Sequence, residues 1–300
     1  MKKSIIFLAA LSVAVLLYGI TTTEEFQKTY QLKKGDNINL KNINGSIKIN
    51  GWKNDYVDLH ATKKTTKSSG DLDDVEIVIE EKDGLNIETK HLKRNPKVSV
   101  NYVLNVPMNV VLDNISTSNG SITIEDAGEV KIVNTSNGAV KVLKCRGKLE
   151  ANSSNGSITI DGLDGSAVAY TSNGKVIIEN ITGLAYARSS NGAIQIYNTG
   201  GISGARTSNG SIKAQINYLA DDTTLKSSNG SISVYIDDDL NADIQVSTSN
   251  AKIKLHDVTI LADDISNSYI HGQIGDGGAL LKLSTSNARI NIYDSSYIEK

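Results

Sequence analysis

The sequence predicts an all-β chain: a right-handed-type parallel β-solenoid of about 18-residue coils behind an N-terminal antiparallel β cap. Three observations predict it. The hexapeptide "TSNGSI" recurs in near-identical form, its Asn residues are spaced by eighteen over a long stretch, and apolar residues keep fixed offsets from each Asn. Self-similarity at a fixed period marks units that cannot bury an apolar face alone and do so by stacking.

The first segment, residues 1–20, stands apart. Lys2 and Lys3 precede an apolar run from Ile5 to Leu17, the pattern of a secretory signal peptide. The run is short for a membrane span, yet Leu17 is a poor residue near a cleavage site, so signal peptide and uncleaved N-terminal anchor both stay open. Either makes this an exported chain of the cell envelope, periplasm or cell surface.

Residues 21–112 form an N-terminal β region that includes one early repeat, "INGSIKI" around Asn44. From Trp52 to Leu112 the chain alternates over longer runs such as "VEIVIEE" and "VSVNYVLNV", with a turn at Lys82–Gly84. Those are antiparallel-type strands. Such a sheet can cap the open strand edge at one end of a solenoid.

Residues 113–300 carry the serial repeats. The motif Asn residues are Asn119, Asn137, Asn155, Asn173, Asn191 and Asn209, then Asn229, Asn250 and Asn287. A worn copy, "HGQIG" at His271–Gly275, fills the long last gap and brings the expectation to about ten coils. At the strand-to-strand spacing they would make a rod of roughly 50 Å. Three and five residues after each Asn the side chain is mostly Ile or Val; four before it, from Asn137 onward, it is Ala, Val or Leu. Each coil thus offers two short strands with one inward face apiece, large residues facing small ones. A hexapeptide β-helix fails, because nine after Asn stand Gly128, Arg146, Asp164, Thr182 and Gly200 instead of apolar residues. A run of Asn-Gly hairpins would need about twenty antiparallel strands, twice the usual ceiling of about ten. No cap is evident for the C-terminal end.

Within the motif, Asn and Gly are expected to supply a positive-φ fold-over, Ser and Thr to bond between coils, and the Asn side chains to form an amide ladder. Cys145, the only cysteine, reads as a turn residue with no disulfide partner.

The formal net charge of −2 excludes an electrostatic footprint for nucleic acid. His60, His91, His256 and His271 are scattered without metal-ligand spacing, and no nucleophile elbow or phosphate loop occurs, so neither catalytic residues nor a cofactor nor a metal is expected. Asp221–Asp222, Asp237–Asp239 and Asp263–Asp264 read as solvated turns between repeats. One outward column differs. Tyr170, Arg188, Arg206 and Lys226 each lie three before a motif Asn, with Tyr186 on the same face. Like charges on adjacent strands repel, so these five residues form a candidate ligand-binding row for an anionic polymer. Tyr197, Tyr235 and Tyr293 would face outward on the other sheet.

The order "DLDDVEIVIEEKDGLNIET", then "SVNYVLNVP", then serial "TSNGSI" units resembles the bacterial "putative adhesin" family of β-strand-repeat domains of unknown function, related to toastrack envelope domains. The resemblance covers nearly everything after the first segment. It implies an envelope-associated β-solenoid without known catalytic residues. Ala251 and Ala288 depart from it, standing where the motif has Gly. The reading that follows is a non-enzymatic adhesin or envelope interaction module, its partner an anionic envelope polysaccharide or a surface protein, with membrane contact only through an N-terminal anchor. The alternative is a sensory or regulatory domain of an envelope-stress system; less favoured is a polysaccharide-active enzyme.

Overall fold

A computed structural model describes residues 21–67 and 69–298. The segment expected as signal peptide or anchor lies outside them. Among the described residues no helix is long and apolar enough to cross a membrane.

Each coil contributes a strand before the motif and a strand after it, and the two enter different parallel ladders. We call these the front and the back sheet. In the front sheet Leu149–Ser153 pairs with Glu129–Thr135 on one side and Ala167–Thr171 on the other, in register. In the back sheet Ile158–Asp161 lies between Val140–Leu143 and the start of Val176–Arg188. The apolar columns meet between the sheets: Ile158, Ile160, Ala167 and Ala169 are fully buried, as are their equivalents along most of the stack, while Ile253 and Leu255 in the Asn250 coil are partly buried. Burying one such Ile contributes about 1.5–3 kcal/mol, repeated at every step.

The motif is the corner from front to back, and its hydrogen bonds explain its composition. Asn side chains form one continuous amide ladder of nine bonds, 2.6–2.7 Å each. Two before Asn, the buried hydroxyl donates to a carbonyl of the coil below, as Thr171 Oγ1 does to Gly156 O at 3.0 Å. The same oxygen accepts the N–H of Gly174 in its own coil. Only Ser or Thr can do both in that small space.

The expected role of the motif Gly is corrected. From Gly120 onward, neither the motif Asn nor the motif Gly takes a positive φ. Glycine is needed there because coils approach too closely for a side chain: a Cβ on Gly156 would sit 1.8 Å from Gly138 O. The left-handed residues lie at the opposite corner, seven after Asn, at Asp126, Lys144, Gly162, Asn180 and Asn198. There Asp, Asn and Gly are the residues best suited to that conformation.

That second corner also holds an apolar column, eight after Asn, of Ala127, Cys145, Leu163 and Ile181, all buried. Cys145 thus stands at a turn between strands, as expected, with its side chain buried in the core. Its Sγ donates to Leu143 O, and burial pushes the thiol up to about 11.

The stacking order departs from chain order at both ends. Near the N-terminus, Leu85–His91 and Val98–Pro107 form a coil without the motif that lies below the Asn44 coil, pairing in parallel with Asn37–Lys41 and Ile47–Trp52. The Asn44 coil is thus held between that coil and the Asn119 coil. These two strands, expected to be antiparallel, are so on one edge only, Leu85–His91 against Val75–Glu80 and Val98–Pro107 against Tyr56–Thr65. The antiparallel cap consists of Val75–Glu80 on the front, and Tyr56–Thr65 with Thr22–Gln31 on the back.

At the other end, Thr223–Lys226 and Ile232–Ile236 do not pair with the next coil in the chain. They pair with the last one, Leu280–Thr285 and Ile290–Asp294. Those strands in turn support Ala242–Thr248 and Ile253–His256. The Asn287 coil is therefore tucked between the Asn229 and Asn250 coils. The expected worn repeat at His271–Gly275 is corrected too. It belongs to Tyr269–Ile274, an antiparallel strand that closes the front sheet against Ala242–Thr248 and carries Leu261–Ile265 as the outer edge. This hairpin is the C-terminal cap that the sequence did not reveal.

Candidate functional site

The outward face of the front sheet carries the candidate row. In-register pairing places Tyr170 beside Arg188, Arg188 beside Arg206, and Arg206 beside Lys226, one per coil. All four side chains are exposed. In the adjacent outward column Tyr186 pairs with Gly204, and its ring lies over that glycine, where a Cβ would come within 3.2 Å of Cε2. The Tyr170 and Tyr186 rings are 5.8 Å apart and tilted. The five predicted residues are thus brought together as an aromatic pair followed by three cations at strand spacing.

Elsewhere on this face positive charge is neutralised. Lys131 meets Asp113 at 3.0 Å, and Lys41 meets Glu88 at 3.1 Å. Among the described residues Arg188, Arg206 and Lys226 have no carboxylate within ion-pair distance. Glu150, two strands below Tyr186 in the same column, accepts from Asn152 instead.

The tucked coil adds a residue that sequence order hid. Lys282 pairs with Thr224, so it stands one step beyond Lys226 in the neighbouring outward column. In chain order it would lie two coils away. The only sequence signal was the lengthening of the Asn spacing after Asn209.

On the back sheet the tyrosines stack in the spatial order. Tyr197 is 6.3 Å from Tyr235, Tyr235 is 5.2 Å from Tyr293 in a near-parallel stack, and His256 covers Tyr293 at 4.3 Å. Burial pushes the Tyr197 hydroxyl up to about 12. The facing rings of Tyr235, Tyr293 and His256 cover one another, while Tyr197 is tilted away and separated from Tyr235 by the Gln215 strand. Of the acid clusters, Asp263 and Asp264 lie on the outer capping strand. Asp238 lies in a corner against Asp294 of the tucked coil, and the hydrogen bond between the two carboxyls holds Asp238 above the usual carboxylate range. Among the described residues no three His, Cys, Asp or Glu side chains gather as a metal site.

Fold and face together define a two-sheet β-solenoid with an uncompensated cationic row flanked by tyrosines. No family model matches the chain, and no curated protein matches it. Solved structures similar to it include a Bacteroides fragilis protein termed a putative adhesin, at 14% identity and TM-score 0.41, covering 90% of this chain and 96% of the other. A Parabacteroides distasonis protein termed a putative lipid binding protein has 14% identity and TM-score 0.42, covering 89% and 96%. A Clostridium sporogenes protein termed a putative cell adhesion protein has 12% identity and TM-score 0.24, covering 91% and 100%. At scores this low the fold rests on this chain's own strand pairings.

Proposed function

We propose that the chain is an exported, non-enzymatic adhesin-type module of the cell envelope whose front sheet binds an anionic polysaccharide. The observation that carries this is the row Arg188, Arg206 and Lys226, exposed and without acids on a face that elsewhere pairs its cations. Three like charges held at strand spacing repel, and a polymer with one carboxylate or sulfate per sugar relieves that repulsion along the whole row. Arg offers two parallel N–H donors to each such group. Tyr170 and Tyr186 supply apolar ring surface at one end for sugar C–H faces, with hydroxyls at the rim. Lys282 extends the positive field at the other.

The reading is tested by retention of the chain on immobilised polygalacturonate at low salt. Arg188→Glu with Arg206→Glu is expected to abolish retention while leaving the far-ultraviolet spectrum unchanged. Wild-type retention should fall steeply as salt rises, because exposed charges are screened over about 10 Å at 0.1 M. Undiminished retention of the double variant would overturn the proposal.

A further inference from the structure

The tucked Asn287 coil is a strand pair held in a slot, and the slot is built from the rest of the chain. Below it the Asn229 coil offers Asn229 Oδ1, Ser228 O and Gly230 O, which accept from Asn287 Nδ2, from the backbone N–H groups of Ser286 and Asn287, and from Thr285 Oγ1. Above it the Asn250 coil donates Asn250 Nδ2 to Asn287 Oδ1, and Thr248 Oγ1 to Ala288 O. Every one of these partners belongs to the repeat, so the slot recognises the motif and not the connection that delivers it.

The connection is a hinge in composition. Residues 275–279 read "GDGGA", and Gly275, Gly277 and Gly278 all have positive φ. It is held on the surface by two side chains, with Asp276 N donating to Asn241 Oδ1 and Gly278 N to Asp243 Oδ1. The coils on either side of the slot are also complete in the chain before its occupant. Both flanking coils precede residue 280 in the chain, and the 21-residue spacing from Asn229 to Asn250 supplies the extra length in residues 237–241 that crosses two steps. A C-terminal element joined by a glycine-rich connection and docked between two coils that recognise only its motif is the arrangement from which copies exchange elements.

We propose that this protein self-associates by exchange of its C-terminal coil: residues 280–294 of one copy fill the slot between the Asn229 and Asn250 coils of a second copy. All hydrogen bonds and buried Leu and Ile contacts of the slot are retained, and only the path of residues 275–279 differs. Each swapped slot still receives a Lys282 beside Lys226, so the cationic row is completed by the second copy, and linked rods present several rows at once. Multivalent presentation strengthens weak polymer binding without a new contact. This inference does not depend on what the row binds.

The test uses two full-length chains on a Cys145→Ser background. One carries Ser233→Cys and the other Asn291→Cys; these residues are register partners on the outward face of the back sheet. They are refolded together at high concentration and oxidised. Exchange predicts that the mixed disulfide exceeds both homodimeric disulfides severalfold, with species of twice the monomer mass by light scattering. Deleting Gly277 and Gly278, which strains the intrachain path, should raise that fraction further. A mixed disulfide no more abundant than the homodimers, with a single monomeric species, would overturn the proposal. Failure of the polygalacturonate test would leave this outcome unaffected.

Discussion

The middle of the rod and its C-terminal third use one motif under two rules. From Asn119 to Asn209 the spacing is eighteen, each coil rests on its predecessor, and chain order equals stacking order. Beyond Asn209 the spacing lengthens and the last coil is inserted beneath its predecessor. The two motif positions that hold Ala in place of Gly, Ala251 and Ala288, both lie in this second region. The close approach itself does not depend on chain order, since a Cβ on Gly120 would sit 1.8 Å from Gly45 O although those two coils meet out of sequence. Ala is accepted only at the last two steps of the stack, on either side of the tucked coil. The N-terminus repeats the device with the Asn44 coil. Antiparallel strands close both sheets at the N-terminal end and the front sheet at the C-terminal end, and each tucked coil, flanked on both sides, is kept from fraying as an open edge would.

The sharpest way to break this comparison is a methyl group at the motif Gly. Gly156→Ala drives a Cβ into Gly138 O and should cost about 3 kcal/mol, near the top of the range for overpacking. The reverse change in the tucked coil, Ala288→Gly, should cost less than about 1 kcal/mol, the backbone-entropy cost of a glycine. Urea midpoints at constant slope measure both; equal effects would remove the distinction. Next in size is Thr171→Val, which keeps the shape but strips a buried hydroxyl from Gly156 O and Gly174 N. Leaving those groups unsatisfied should cost about 2 kcal/mol. Smallest is the ladder itself. Asn173→Ala removes two exposed amide bonds and should cost about 1 kcal/mol, whereas Asn250→Ala, at the end of the ladder, removes one and should cost about half of that. If the terminal Asn mattered as much as the interior one, the ladder would not be acting as a chain of pairwise bonds.

Much of the candidate site was legible because Tyr170, Arg188, Arg206 and Lys226 fall where period and stacking order agree. A residue three before Asn on consecutive coils must be an in-register neighbour. Lys282 was not legible, because its neighbour is set by which coil it packs beside. The inward column of Ala127, Cys145, Leu163 and Ile181 was present in the sequence at eight after Asn. It lies one position short of offset nine, where a hexapeptide helix would place its apolar residues, so the period of that fold does not reveal it. Gly in the motif pointed to a left-handed turn only by analogy with hairpins. Its real cause, the contact between one coil and the next, is invisible in any single coil.

By itself the sequence determined what each coil is: two strands, their inward columns, a corner fastened by Ser or Thr and Asn, and a period that keeps side chains in line. Those are local matters, repeated until the pattern is unmistakable. Only the tertiary structure decided the order in which coils stack, which strands close the ends, and so which residues from distant parts of the chain stand side by side. The physical reason is that every motif coil offers nearly the same hydrogen bonds above and below. The repeat therefore specifies how coils join, while connection lengths and the end strands decide which of them do.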